Sequence, residues 1–274
     1  MSAESFFISQ FSDKSSFIGD DGALIGSLVY SNDAFFENIH FKIVWMSLEQ
    51  IAYKAMLVNI SDAVAMNAEP RYALLSVALP KHYSAKDMKA LARGFQKAAD
   101  KYGIEIIGGD TIANIKLDIS VTIISETKRP LLRKGLKPGH LLAYTGSLGR
   151  SARELRYLLN GGKVHAASKF VTFDLRQSFV KHATASLTCG MDVSDGIFSD
   201  LERLSNVNRV GFNYTKPLSK SLGCSGEEYE MLIGFDSRKR KKMIRIAARE
   251  RLELTIFAKA VRKGYRNRCK AHHF

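Results

Sequence analysis

The sequence predicts an α/β (α+β) chain built from two units, residues 1–130 and 131–274. Three observations carry that prediction. Helical stripes with clear start signals alternate with short apolar strands along the whole chain. Leu117, Ile119, Val121 and Ile123 alternate as one face of a strand. A basic stretch containing Pro and Gly, Lys128 to His140, reads as a linker between the units. With 274 residues and a hydrophobic share of 46%, the chain has material for two cores of ordinary size.

In the first unit, Leu28 to Ser31 reads as a strand ending at Asn32-Asp33. Ser47 with Gln50 three residues on fits a capping box, and Ile51, Ala55 and Val58 follow at helical spacing. The next position on that stripe is Asp62, and no Lys or Arg lies within a turn of it. A carboxylate facing a core is costly unless something compensates it, and a bound cation is one such compensation. Arg71 to Leu79 is an apolar strand stopped by Pro80. Ser84 opens a helix through Met88, Leu91 and Phe95 to about Lys101. Ile104 to Ile107 is a short strand that ends in Gly108-Gly109-Asp110-Thr111.

In the second unit, Leu141 to Tyr144 is a strand, followed by a Gly-containing turn and a helix to about Leu159 that Gly161-Gly162 terminates. A helix near Leu175 to Leu187 precedes Met191-Asp192-Val193-Ser194-Asp195-Gly196. Another runs from Ile197 to Ser205. Tyr229 to Phe235 is strand-like, a basic helix starts at Asp236, and Leu254 to Ala260 is a last strand.

The net charge of +14 raises nucleic-acid binding as a function. Much of the excess sits in Arg238-Lys239-Arg240-Lys241-Lys242 and in Arg262 to Lys270, with no stacking aromatics and no zinc-finger or helix-turn-helix signature. These charges read as a solvated face, and no nucleic-acid partner is expected. No apolar run reaches transmembrane length, and Met1 to Phe11 lacks the pattern of a signal peptide, so a cytoplasmic protein is expected. Cys189, Cys224 and Cys269 have no metal-type spacing and are expected to be ordinary thiols.

The chemistry lies in carboxylates at element ends: Gly19-Asp20-Asp21, Asn32-Asp33, Asp62, Gly109-Asp110, and Asp192 with Asp195. Taken singly, an Asp beside Gly is an ordinary turn or cap. Together they form a set of hard oxygen donors of the kind that holds Mg²⁺ against the phosphates of a polyphosphate such as ATP. Neither a P-loop nor the protein-kinase motif set is present.

These segments resemble the thiamine-monophosphate kinase family, of the superfamily named for aminoimidazole ribonucleotide synthetase. The matching stretches are Gly19-Asp20-Asp21, Ser31-Asn32-Asp33 with Ile39-His40-Phe41, Tyr53-Lys54-Ala55 through Asn59-Ile60-Ser61-Asp62-Ala63, Gly108 to Thr111, Arg133 with Lys137-Pro138-Gly139, Asp192 to Gly196, and Ser225 to Glu230. The resemblance implies an aminoimidazole ribonucleotide synthetase-like fold, with an N-terminal sheet that forms a barrel across a homodimer and a C-terminal α/β domain. It implies phosphoryl transfer from ATP to thiamine monophosphate with several Mg²⁺ ions. By motif, Asp20, Ser31, Asn32, Asp33, Asp62, Asp110, Asp192 and Asp195 are metal positions. Gly109, Asp110, Arg133 and Ser194 match nucleotide-contacting positions, and His40 and Glu227 match positions facing the thiamine phosphate. On the residues alone, Arg133 suits a phosphate clamp with a linker salt bridge as the alternative, while His40 reads more often as a structural histidine and Glu227 as a solvated acid.

The chain departs from the family at Asn32, where Thr or Ser is usual, at Asn67 in place of Gly, and at Ala271 in place of an aromatic residue. A selenophosphate synthetase or an aminoimidazole ribonucleotide synthetase is the other reading within the superfamily. The first would need an N-terminal nucleophilic Cys or selenocysteine, and the first cysteine here is Cys189.

Overall fold

The computed structural model describes residues 3–12 and 14–269. The departure at Ala271, within the Lys270-Ala271-His272-His273-Phe274 ending, lies outside the described residues.

Two five-stranded sheets form the frame. The first contains β1 (Ala23–Ile25), β2 (Leu28–Phe36), β3 (Glu69–Pro80), β4 (Glu105–Asn114) and β5 (Asp118–Glu126), in the order β1-β2-β5-β3-β4. The second contains β6 (Leu141–Thr145), β7 (Cys189–Asp192), β8 (Gly211–Tyr214), β9 (Met231–Phe235) and β10 (Leu254–Val261), in the order β7-β9-β6-β10-β8. All neighbours are antiparallel except β3 and β4. A parallel pair needs a crossover, and the helix Ala85–Tyr102 supplies it. Among the described residues neither sheet closes on itself.

The helices are α1 (Ala3–Ser12), α2 (Leu48–Ala65), α3 (Ala85–Tyr102), α4 (Arg150–Leu159), α5 (Gln177–Ala183), α6 (Ile197–Asn208), α7 (Lys220–Gly223) and α8 (Arg240–Arg249). Ser47 and Gln50 make the expected reciprocal capping box on α2, and Ser84 and Asp87 make one on α3. Most of α2 is buried on all sides, as for a helix enclosed by other elements. It packs on β2, β3 and β5 of the first sheet and reaches β7 of the second. The larger apolar cluster runs through it, from Val29 and Phe35 by Ile51 and Ala55 to Met231 and Ile233. The alternation on β5 is as expected: Leu117, Ile119, Val121 and Ile123 are fully buried. A second cluster joins α6 to the second sheet through Leu201, Met191 and Phe257.

Three sequence expectations change. β2 does not end at Asn32-Asp33, because its ladder with β5 continues to Phe36 opposite Asp118. β4 likewise runs through Gly108-Gly109-Asp110-Thr111 to Asn114, paired with Pro80. Polar and Gly residues are carried inside these strands because the backbone pairs continue across them. Gly109 is required there: with φ +144°, a Cβ would stand 1.8 Å from the Leu75 carbonyl oxygen. The third change concerns cysteine. The fold brings the Cα atoms of Cys224 and Cys269 to 5.6 Å, and the two are joined as a disulfide. Cys189 is a free, buried thiol.

The Lys128–His140 stretch has no helix or strand, yet it is tied down. Asn208, at the end of α6, accepts from the N–H groups of Gly135 and Leu136 at 2.8 and 2.9 Å and donates to the Arg133 carbonyl at 2.8 Å.

Candidate active site

The C-terminal half of α2 organises the site. Asn59 accepts the Asp33 N–H at 2.6 Å, and its carbonyl receives the Ser31 hydroxyl at 3.2 Å, so one residue fixes β2 to the helix. Two positions on, Ser61 donates to Asp192 at 2.7 Å, which fixes the end of β7 to the same helix. Asp62 then converges with Asp21 and Asp192: one oxygen from each carboxylate lies within 4.8 Å of the others.

This arrangement is electrostatically costly. Burial pushes the Asp62 carboxyl well above its ordinary range, and repulsion from Asp33, Asp192 and Asp21 adds to it. Burial, with the Asp21 charge, lifts Asp192 to about 7, against the lowering hydrogen bond from Ser61. Asp21 is also raised by burial, with the Arg133 guanidinium opposing. Three converging oxygens whose ionised forms are disfavoured together make a fitting donor set for a hard cation such as Mg²⁺.

Arg133 lies beside the cluster. Its side chain donates to Asp21, at 3.2 Å from Nε and also through Nη2, and to the Gly19 carbonyl at 3.3 Å. Its backbone N–H donates to Asp20 at 2.6 Å. Within the Asp pair, Asp20 therefore holds the linker backbone and Asp21 enters the cluster. On the far side, Asp195 and the buried Asp200 share Arg203. The second oxygen of Asp200 has no hydrogen-bond partner, and burial raises this carboxyl well above its ordinary range.

The remaining expected positions divide. Ser31 and Asp33 share the α2 side of β2. Asn32 points to the other face, donating to Ser120, Thr122 and the Val121 carbonyl of β5. Gly109 and Asp110 lie on the exposed edge strand β4, where Asp110 accepts the Thr111 N–H at 2.8 Å. They line an apolar groove of about 430 Å³ between β4 and α3, with Leu75, Met88 and Phe95. The Ser194 carbonyl receives the Glu227 N–H at 2.7 Å. His40 accepts the Phe36 N–H at 3.0 Å through Nδ1, and its ring stacks on Phe35.

The three glutamates before β9 are not a solvated group. Glu227, 28% exposed, pairs with Lys54 at 2.7 Å. Glu228 and Glu230 are buried. Glu228 receives the Gly149 N–H at 2.7 Å, and Glu230 receives Thr145, Lys169 and Arg176 at 2.8 to 2.9 Å. Reasoning from sequence counted Asp21 among the acidic donors but gave the metal position to Asp20, and it gave no role to Lys54, Lys169, Arg176 or Arg203. For Lys54 there was a signal: it is the one charge within Ile51 to Val58, an otherwise apolar stretch of α2.

Comparison with known proteins shows the family. Residues 19–127 match the family model described as AIR synthase related protein, N-terminal domain. The thiamine-monophosphate kinase of Bacillus subtilis is 31% identical over 218 residues, 73% of this chain and 67% of that protein. That of Buchnera aphidicola subsp. Schizaphis graminum is 31% identical over 264 residues, 86% of this chain and 81% of its own length. The fold is shared with the structure of AaThiL complexed with AMPPCP and TMP, at a TM-score of 0.82 and 24% identity, over 97% of this chain and 94% of that one. The Asn59–Asp62 and Asp192–Gly196 segments that build the carboxylate cluster thus lie in a chain aligned with these relatives over most of its length, and the chain belongs to the thiamine-monophosphate kinase family.

Proposed function

We propose that the chain transfers the γ-phosphoryl group of ATP to thiamine monophosphate, giving ADP and thiamine diphosphate. The convergence of Asp21, Asp62 and Asp192, in a chain of this family, is the observation that carries this reading. Its relatives are named thiamine-monophosphate kinases, and the structural neighbour AaThiL is complexed with AMPPCP and TMP.

Asp21, Asp62 and Asp192 would hold Mg²⁺, with Asp20, Asp33 and Asp195 beside them. Bound there, Mg²⁺ would supply neutralisation of the phosphate charge during transfer. The acceptor is itself an anionic phosphate, so the chain needs no general base. Its work is to align two anions and hold them in line. Arg133, now turned to Asp21, has the planar fork that suits phosphate oxygens. Gly109 leaves the β4 backbone open to a close ligand, and Ser194 flanks Asp195. His40 and Glu227 face the thiamine phosphate.

The reading extends to assembly. The edge strand β4 is exposed and carries Ile107 and Ile112, 48% and 58% exposed. An unpaired apolar edge is a template for pairing, and a second copy there would form the homodimer, its two first sheets closing into a barrel. Residues 1–130 would act as the nucleotide-binding and dimerising unit and 131–274 as the second α/β unit. No described helix is long and apolar enough to cross a membrane; a cytoplasmic location is part of this proposal.

The test is formation of ADP and thiamine diphosphate from ATP and thiamine monophosphate, with and without Mg²⁺. Equal, Mg²⁺-dependent amounts of both products are expected. Nucleotide binding without thiamine diphosphate would move the search to another acceptor.

A further inference from the structure

We propose that Lys54 is the residue that positions Glu227 for thiamine monophosphate, an inference that rests on the proposed function. Lys54 lies in the middle of α2 and its side chain is 1% exposed. An ammonium so buried is costly unless it is paired. Its ion-pair partner is Glu227, with Nζ to Oε2 at 2.7 Å. The same Nζ lies 4.0 Å from the ring centre of Phe170 and 5.5 Å from that of Phe35, both within cation–π range.

These contacts come from three distant parts of the chain: β2, the segment before α5, and the loop before β9. Of these, Glu227 is the one assigned to the thiamine phosphate. Glu227 has a left-handed backbone, with φ +53°, and its N–H is held by the Ser194 carbonyl at 2.7 Å. That bond fixes the backbone, and Lys54 fixes the carboxylate. The Glu227 side chain still keeps 28% of its surface open to a ligand.

A free glutamate side chain would lose rotamer freedom when substrate docks. Holding it beforehand removes that cost from binding. Lys54 does this from the interior, with its ion pair to Glu227 and not to Asp21, Asp62 or Asp192, so its effect is expected to fall on one substrate.

The experiment compares Lys54→Met, Glu227→Gln and the double variant. Met is unbranched and one heavy atom shorter, so it fills most of the buried space and removes the charge. KM for thiamine monophosphate is expected to rise about tenfold or more in Lys54→Met, the range of a lost charged hydrogen bond. KM for ATP should stay within about twofold. The double variant should match Glu227→Gln alone, because the proposed role of Lys54 runs through its ion pair with Glu227. An unchanged KM for thiamine monophosphate, an equal rise for both substrates, or multiplied effects in the double variant would each overturn the role of Lys54. If Lys54→Met does not fold, the double variant buries neither charge. Its KM against that of Glu227→Gln then decides: equality supports the role, and a difference removes it. Wild-type chain that makes no thiamine diphosphate would remove the functional reading itself, and the role of Lys54 with it.

Discussion

Asp62 is legible in the sequence, because helical spacing puts a carboxylate on an apolar stripe without a nearby cation. The structure adds the partners, and they turn the oddity into a prediction. Asp62→Asn removes one of three mutually repelling carboxylates. Without Mg²⁺ the variant should melt at the same temperature as wild type or higher, while Mg²⁺-dependent turnover falls about 100-fold or more, the scale of losing charge stabilisation at a reacting group. A loss of melting temperature without Mg²⁺ would instead make Asp62 a structural cap. The pH dependence has a definite sign. The folded Asp192 carboxyl titrates at about 7 against an ordinary 3.8. Its ionisation therefore disfavours the fold increasingly from about pH 4 to about pH 7. Protons and Mg²⁺ compete for the same oxygens, so calorimetric Mg²⁺ affinity should weaken as pH falls through about 7. A flat affinity from pH 8 to 6 would sink this account. Other residues were not legible. Asp20 and Asp21 are adjacent and chemically equivalent in sequence, and only the path of Arg133 separates the backbone anchor from the cluster member.

At the scale of elements, the start signals were reliable and the strand ends were not. A capping box is a local arrangement of four residues, so Ser47 and Ser84 could be read directly. A strand ends where its neighbour stops pairing, which is not a local property. That is why β2 and β4 run past the Asn32-Asp33 and Gly108–Thr111 segments. Strand parity also matters. Alternate residues face opposite sides, so a strand that continues through Ser31-Asn32-Asp33 necessarily separates Asn32 from the other two. Ser47→Ala tests the capping of α2. It should cost about 1 kcal/mol of stability, read as a lower melting temperature, with KM for both substrates unchanged, because the carboxylate end of α2 is anchored separately by Asn59 and Ser61. A rise in KM would show that the helix start is coupled to the site.

Across the whole molecule, α2 is the common member. Its Ser61, Asp62 and Lys54 reach Asp192 and Glu227 in the second half, and Arg133 returns the contact to Asp21 in the first. The mixed α/β class and the alternation of helices and strands were legible because hydrophobic period is a local signal. The cross-chain contacts were not, since nothing in their spacing marks residues 54 and 227 as neighbours. The same limit hid the sulfur pair, whose members are 45 residues apart.

That pair makes the end of the chain a closed ring. Every peptide bond of the basic helix α8 lies between Cys224 and Cys269, and α8 presents Arg and Lys at exposed positions. A trypsin cut within α8 would therefore leave two fragments held by one covalent bond. Without reductant, the nicked protein should migrate as a single band on a denaturing gel, and with reductant it should split in two. Two fragments in both lanes would show that the sulfurs are not joined.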